Sequence, residues 1–250
     1  MAAGLWIAKR PLHHLYNHEK ILFLGFVSQE LIDTRFANSA WAHSLLSGYA
    51  NLSRYQAANR ALPQSTPGRV VFYGDSITRQ WTRRYSAEFF PGTPYIGRGI
   101  LGQSTGELYW RFQQDVIDLH PSAVVLLAGT NDVVLPDRHI TFQETIDNIQ
   151  AMVKAGEQHG IRVILCSILP IRNYPQPQEA LFTANIRALN AWLSSYAAQQ
   201  HLLYIDYASA MSTDTGELIP SLSDDGLHPN AAGYAIMQSL AQQALNSLQP

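Results

Sequence analysis

The chain has 250 residues, of which 46% are hydrophobic and 14% charged, with a formal net charge of -2 at pH 7. This composition is typical of a folded globular protein and excludes a disordered chain. The 17 basic and 19 acidic residues nearly balance, and the absence of a basic run argues against nucleic acid as a partner. The single cysteine, Cys166, rules out an internal disulfide and a thiolate metal cluster, and its apolar neighbours predict a buried, unreactive thiol.

Residues 1–40 differ from the rest of the chain and match no motif. The histidine-rich stretch from His13 to His18 is interpreted as a solvated turn, because no further metal-ligand cluster accompanies it. The apolar run Ile21–Val27 is shorter than the roughly 20 residues of a membrane helix, and acidic residues separate it from the A-x-A pattern at 40–42. It is therefore a poor export signal. We predict an extension of unknown role and no integral membrane segment. A cytoplasmic location is favoured over secretion or the periplasm, both of which stay open.

The remaining residues, 41–250, predict one domain. Residues 40–62 carry apolar side chains at helical intervals, which predicts an amphipathic helix. Short apolar runs then alternate with longer helical patterns, and two of the runs are almost wholly apolar, as in strands buried on both faces. The predicted strands are RVVFYG (69–74), PYIGRG (94–99), SAVVLLAG (122–129), IRVILCSI (161–168) and HLLYID (201–206). The later predicted helices cover 105–119, 141–160, 177–200 and 230–248. Gly160 is the predicted stop of the second of these, and Asn230 the N-cap of the last. The alternation predicts a three-layer α/β/α sandwich around a mainly parallel five-stranded sheet.

Small or polar residues follow every predicted strand. They are Gly74-Asp75-Ser76, ILGQST (100–105), GTND (129–132), LPIRNYPQP (169–177) and, after a longer excursion, SDDGLHPN (223–230). In open α/β sheets, ligands bind outside the carboxyl ends of the strands. We therefore expect these segments to meet at one edge of the sheet and to form a site there.

Ser76 is the candidate nucleophile of that site, although Asp75 or Ser76 in this position can also simply cap the next helix. A serine hydroxyl needs a base to take its proton. His228 is the natural candidate, since an unperturbed imidazole titrates at about pH 6.5. Asp225, three residues earlier, can fix the tautomer of that imidazole. Asp224 competes for this role, but the D-x-x-H spacing favours Asp225. For Asp75 we favour a structural role.

A tetrahedral intermediate also requires donors that face its oxyanion. The candidates are the backbone N–H groups of Ser76 and Gly102 and the side-chain amide of Asn131. Gly102 suits this role because a glycine lets its N–H approach substrate unobstructed. The alternative for Asn131 is that it caps a loop. We predict neither a metal site nor a cofactor.

The four blocks GDSIT (74–78), GILGQS (99–104), GTND (129–132) and DGLHP (225–229) together resemble those of the SGNH hydrolases, also called the GDSL esterase/lipase family. The resemblance runs from about residue 40 to the C-terminus. It implies the flavodoxin-like α/β/α sandwich of that family. It also implies Ser76 as nucleophile, Gly102 and Asn131 as oxyanion donors, and Asp225 with His228 as the acid–base pair. One departure is Gly97, where we would expect an Asn; we expect it to affect only strand packing.

The resulting prediction is a serine esterase for carboxylic esters with short acyl chains, such as carbohydrate or aryl acetates, acting through an acyl-enzyme. A lipase, lysophospholipase or thioesterase of the same family is the alternative. A catalytically silent carbohydrate- or protein-binding module is a further alternative, disfavoured because every catalytic position is filled. The G-x-S-x-G elbow of the α/β-hydrolases is absent, and so is a phosphate loop that would indicate a nucleotide or flavin binder. The expected partner is a small-molecule or carbohydrate ester, and a homo-oligomer is left open.

Overall fold

The computed structural model describes residues 48–135 and 140–248. The extension predicted over 1–40, the apolar run Ile21–Val27 and the histidine-rich stretch lie outside the described residues. The boundary at residue 40 and the predicted location of the protein therefore stay predictions.

Five parallel strands form a single sheet in the order β2-β1-β3-β4-β5. The strands are β1 (Val70–Gly74), β2 (Tyr95–Gly99), β3 (Ala123–Leu127), β4 (Arg162–Cys166) and β5 (Leu203–Ile205). Every residue of β1 and β3 is buried, as their apolar composition predicts. The sheet is all-parallel, and the predicted α/β/α fold is confirmed. Because β2 and β3 flank β1 on opposite sides, the order reverses at β1, and such a switch point is where open sheets bind ligands.

Helices cover both faces of this sheet. The α-helices of the described residues are α1 (Gln56–Arg60), α2 (Ser76–Arg83), α3 (Thr105–Asp115), α4 (Thr130–Val134), α5 (Phe142–Gln158), α6 (Gln178–Gln199), α7 (Tyr207–Met211) and α8 (Ala231–Asn246). Alternate residues of β1 face opposite ways: Val71 and Tyr73 pack with α3, α5 and α6, whereas Val70 and Phe72 pack with α2 and α8. Two apolar cores, one on each face of the sheet, therefore hold the three layers together.

The predicted helix ends are also found where the sequence placed them. Helix α5 ends before Gly160, which adopts φ +69°, a left-handed conformation that costs glycine little. The Asn230 side chain accepts hydrogen bonds from the first-turn amides of Ala232 and Gly233 in α8. Cys166 is buried in β4, as predicted, and burial raises the pKa of its thiol. No helix within the described ranges combines the length and apolar character needed to cross a bilayer.

The prediction of one continuous helix over 40–62 is wrong for the part that the structure describes. The chain breaks at Asn51, whose φ of 52° is left-handed, and continues as a 3-10 turn (Leu52–Arg54) and the short helix α1. Tertiary hydrogen bonds explain the break. The Ala50 carbonyl accepts from the Gln103 side chain at 2.9 Å, and the Tyr55 hydroxyl donates to the Gly99 carbonyl. The segment is thus shaped by the loop after β2 and not by its own periodicity.

Gly97 has a packing reason. A Cβ at this position would lie 2.2 Å from the Thr82 side chain, so only glycine lets α2 approach β2 so closely. This agrees with the expectation that the departure at Gly97 concerns strand packing.

Candidate active site

The nucleophile candidate Ser76 is the first residue of α2 and follows directly from the end of β1. Asp75 caps this helix, because its side chain accepts a hydrogen bond from the Ile77 amide at 2.9 Å. Asp75 therefore has the structural role favoured from the sequence. Ser76 is nearly buried, at 7% exposed, and directly follows Asp75, which is fully buried. The placement at the start of a helix also directs backbone N–H groups towards this end of the sheet.

His228 and Asp225 complete a chain of hydrogen bonds with this serine. The Ser76 Oγ lies 2.9 Å from His228 Nε2, and His228 Nδ1 lies 2.7 Å from Asp225 Oδ2. When Nδ1 carries the ring proton and donates a hydrogen bond to the carboxylate, Nε2 is unprotonated. Nε2 is then the nitrogen that accepts a hydrogen bond from the serine hydroxyl. Such an arrangement can move the serine proton to the imidazole during attack on a carbonyl carbon.

The acid–base pair is held by a turn of its own. Asp225 Oδ1 accepts from the backbone amides of Leu227 at 2.9 Å and His228 at 2.7 Å. Partial burial by itself would raise the pKa of Asp225, but hydrogen bonds from the His228 backbone and side chain and from Leu227 lower it to about 2. Asp224, the sequence competitor, is exposed and contacts Asn230 instead. The carboxylate beside the imidazole is therefore that of Asp225.

Asn131, a predicted oxyanion donor, lies beside Ser76 but is more constrained than the sequence suggests. It is the second residue of α4 and is 5% exposed. Its Nδ2 donates to the Gln103 carbonyl at 2.9 Å and to Asp75 Oδ2 at 3.3 Å. A donor role for Asn131 therefore requires one of these N–H groups to be shared with the developing oxyanion.

Gly102, the other predicted donor, lies in the loop between β2 and α3. Its φ of 70° is left-handed, which explains why glycine is suited to this position. Gln103 and Ser104 follow it and are both buried. The Ser104 amide and hydroxyl bind the Glu107 carboxylate, which closes a capping box at the start of α3.

Two further carboxylates lie near the nucleophile, of which that of Asp75 is buried and that of Asp132 is half-buried. Burial raises the pKa of Asp75 to about 6, against the opposing hydrogen bond from Ile77 and the nearby His228. Burial also raises the pKa of Asp132, whose side chain accepts from Thr105 and, at 3.1 Å, from the Thr145 hydroxyl. Asp132 thereby connects α4 to α3 and α5.

The sequence analysis missed two residues of this region, Gln103 and Arg111. Both are buried, and they are hydrogen-bonded to each other, Arg111 Nε donating to Gln103 Oε1 at 2.5 Å. The available signal was an arginine on the buried face of a helix, with an aspartate four residues later. A charged pair at that spacing also suits an exposed helix face, so the sequence alone does not distinguish the two.

The candidate site residues belong neither to a cluster of metal ligands nor to the lining of the open groove found among the described residues. Among the described residues, no group of three or more His, Cys, Asp or Glu side chains could hold a metal ion. A groove of about 670 Å³ lies between α8 and the segment after α2, with Tyr85, Tyr234 and Gln238 in its lining. None of the lining residues is a predicted site residue.

Comparison with known proteins shows which family this chain resembles. The model of the GDSL-like lipase/acylhydrolase family matches residues 72–236, more than half of the chain. A crystal structure of a GDSL-like lipase from Bacteroides thetaiotaomicron is 37% identical, with a TM-score of 0.75, over 80% of this chain and 100% of that one.

Two curated relatives are more distant. The uncharacterized lipoprotein YqeF of Bacillus subtilis is 29% identical over 118 residues, 41% of this chain and 49% of the relative. The chain thus matches about half the length of that protein. An acetylxylan esterase of Geobacillus stearothermophilus is 24% identical over 155 residues, 58% of this chain and 69% of the relative.

Proposed function

The chain belongs to the GDSL-like lipase/acylhydrolase family, and we propose that it is a serine esterase for carboxylic esters with short acyl chains. The observation that carries the proposal is the pair of hydrogen bonds, 2.9 and 2.7 Å long, that joins Ser76 to His228 and His228 to Asp225. They lie at the carboxyl ends of the strands, next to the switch point of the sheet.

In the proposed reaction, Ser76 Oγ attacks the ester carbonyl carbon while His228 Nε2 takes the hydroxyl proton. The carbonyl oxygen becomes an oxyanion that receives hydrogen bonds from the backbone of Ser76 and Gly102 and from Asn131. The C–O bond to the alcohol then breaks, and His228 returns the proton to the departing oxygen. Water, deprotonated by His228, hydrolyses the acyl-Ser76 ester and restores the serine hydroxyl.

Reaction with a fluorophosphonate tests this assignment directly. The reagent forms a covalent bond to an activated serine, so we expect one label per chain, located at Ser76 by peptide mass spectrometry. Hydrolysis of p-nitrophenyl acetate should be lost in proportion to labelling. Labelling of another serine with retained hydrolysis would refute Ser76 as the nucleophile. Neither labelling nor hydrolysis of any ester would instead favour the silent carbohydrate-binding module.

Acetyl is the acyl group that we favour, and the acetylxylan esterase relative supports it. Carbohydrate acetates and aryl acetates are the expected substrates. A panel of p-nitrophenyl esters from acetyl to decanoyl, assayed beside acetylated xylan, tests this preference. We expect the highest kcat/KM at acetyl, together with release of acetate from xylan.

A second candidate function is that of an esterase or lipase for longer acyl chains. Exposed apolar side chains at the end of the sheet that carries Ser76 favour it. The large apolar side chains that are exposed in the described part of the chain are Leu101, Leu135, Phe142 and Leu181. Leu101 follows β2, Leu135 follows the short helix α4 that comes after β3, and Phe142 and Leu181 lie in the first turns of α5 and α6. The chain order therefore places all four towards the same end of the sheet as Ser76. Exposed apolar side chains of this kind can contact an acyl chain. A kcat/KM that rises to octanoyl and beyond would establish this candidate over the acetylesterase.

A further inference from the structure

Arg111 makes an unusual set of contacts for a helical arginine. Its side chain is fully buried in α3, and each of its three nitrogens donates a hydrogen bond. Nε donates to Gln103 Oε1 at 2.5 Å, Nη1 to Asp115 Oδ2 at 3.0 Å, and Nη2 to the Gly74 carbonyl at 2.8 Å. The guanidinium also lies over the Tyr73 ring, 4.2 Å from its centroid. One side chain thus connects α3, the end of β1 and the loop after β2.

Gln103 extends this connection to both predicted oxyanion donors. It directly follows Gly102 in the chain, and its own carbonyl accepts the hydrogen bond from Asn131 Nδ2 at 2.9 Å. Its side chain is fixed at both ends, because Oε1 accepts from Arg111 and Nε2 donates to the Ala50 carbonyl at 2.9 Å. The Gly102 backbone and the Asn131 amide are therefore anchored through the same residue.

Burying the charged Arg111–Asp115 pair costs hydration free energy, so we infer that stabilising the fold is not its main role. A buried Arg–Asp pair loses hydration that its mutual attraction only partly recovers, and apolar residues of similar size would serve a core as well or better. What an arginine adds is a planar fork that fixes several acceptors in defined directions. Here one of those acceptors, Gly74, lies two residues before Ser76, and another belongs to Gln103.

We propose that Arg111 and Gln103 are positioning residues that hold the Gly102 backbone and the Asn131 side-chain amide in a fixed position relative to Ser76. Neither reaches the reacting atoms, and they act through the backbone of residues 102–103 and the amide of Asn131. The catalytic part of this inference rests on the proposed esterase function. The structural part, that the loop 100–104 is fixed by Arg111, does not.

Arg69 provides a matched control at the opposite end of the sheet. It is also a buried arginine, 2% exposed, and it directly precedes β1. Its guanidinium donates to the carbonyls of Leu119 and Pro63 and to the Thr66 hydroxyl, all away from Ser76. Substitution of either arginine removes comparable buried contacts, but only Arg111 is connected to the predicted oxyanion donors.

The experiment compares Arg111→Met, Gln103→Met and Arg69→Met in the full chain, each at a temperature where its melting curve shows it folded. We expect Arg111→Met and Gln103→Met to lower kcat on p-nitrophenyl acetate by about 10- to 100-fold, since small misplacements of catalytic groups have effects of this size. KM should stay within about threefold, because the oxyanion charge develops only in the transition state. Arg69→Met should lower the melting temperature and leave kcat within about threefold.

Amide hydrogen exchange of a peptide covering 99–107 is a second measurement that does not depend on activity. Exchange in this segment should become roughly tenfold faster in Arg111→Met and Gln103→Met and stay unchanged in Arg69→Met. Unchanged exchange overturns the inference even in a protein without esterase activity. If exchange rises but folded Arg111→Met keeps a normal kcat on an active enzyme, the positioning role is refuted while the proposed esterase stands. Gln103→Met, which leaves the Arg111–Asp115 pair in place, decides both points if Arg111→Met does not fold.

Discussion

The serine side and the histidine side of the candidate site are built in different ways. Ser76 follows a fully buried strand, and its neighbours Asp75 and Asn131 are buried and bonded to each other. His228 and Asp225 lie on the excursion after β5, with side chains 21% and 56% exposed. Their geometry comes from a local turn in which the Asp225 carboxylate accepts two backbone amides.

The difference indicates what each side has to provide. In the proposed reaction, the oxyanion donors must be in place before charge develops, and buried hydrogen bonds around Asn131 would supply that preorganisation. In the same proposed reaction, the His228 imidazole exchanges protons with serine, alcohol and water, which suits a position open to solvent. Electrostatics follow the same division, since burial raises the pKa of Asp75 to about 6, while hydrogen bonds outweigh burial and lower that of Asp225 to about 2.

Ser76→Ala should have the largest effect on activity and almost none on stability. Without the hydroxyl there is no acyl-enzyme, so kcat should fall by about 10⁴-fold or more. The matched control is Ser167→Ala, a buried serine at the end of β4 that accepts from the Ala208 amide at 2.8 Å. That change leaves a half-buried N–H unpaired and should cost about 1 kcal/mol of unfolding free energy with kcat unchanged. Activity assays and melting curves on both variants measure the separation. Substantial activity in Ser76→Ala would remove Ser76 from the mechanism.

Asp225→Asn should lower kcat by about 10⁴-fold, because it stabilises the wrong tautomer of His228. The two backbone amides at Oδ1 will select the amide oxygen of the new Asn, which leaves its NH₂ group facing His228 Nδ1. The imidazole then carries its proton on Nε2 and cannot accept from Ser76. Asp224→Asn, one residue earlier and exposed, should keep kcat within about threefold. Equal effects of the two substitutions on kcat would contradict the assignment of Asp225.

Asn131→Ala should lower kcat by about a hundredfold to a thousandfold, the usual cost of one oxyanion donor. KM should change little. Because Asn131 also donates to Gln103 and Asp75, the variant should in addition lose about 1–3 kcal/mol of stability. Stability alone therefore does not separate a donor from a loop cap. Asn190→Ala supplies the control, since that side chain bonds the Ile168 amide and carbonyl at 2.8 and 2.9 Å. It should lose stability with kcat intact, and an equally unaffected kcat in Asn131→Ala would take Asn131 out of the oxyanion hole.

The parts of this molecule that the sequence predicts well are those that depend on neighbouring residues in the chain. The strands, the helix stop at Gly160 and the cap at Asn230 follow from local patterns. Ser76 and the Asp225–His228 pair can be predicted as site residues because each lies in a short block. The helix predicted over 40–62 failed because its break at Asn51 accompanies contacts more than 40 residues away.

The hydrogen bonds of Asn131 also could not be predicted from local sequence patterns. Its acceptors, Asp75 and Gln103, are 56 and 28 residues distant in the chain, so no spacing pattern relates them. The order of the strands, which brings the ends of β1 and β3 side by side, is what makes these contacts possible. A block such as GTND indicates that Asn131 is near Ser76 but not which of its N–H groups are already engaged.

The smallest predicted effect concerns the pH dependence of stability, in which the two aspartates act in opposite directions. The folded pKa of Asp75, about 6, lies above the ordinary aspartate value of 3.8, so Asp75 destabilises the fold progressively as pH rises from about 4 to 6. Asp225, with a folded pKa of about 2, provides stability that is lost only as pH falls below about 4.

Melting temperatures of wild type and Asp75→Asn at pH 4, 5, 6 and 7 isolate the contribution of Asp75, because all other groups titrate in both proteins. The wild type should lose a few degrees relative to the variant over this range, given about 2–4 °C per kcal/mol for a chain of this size. Parallel curves for Asp75→Asn and wild type would mean that burial does not raise the pKa of Asp75.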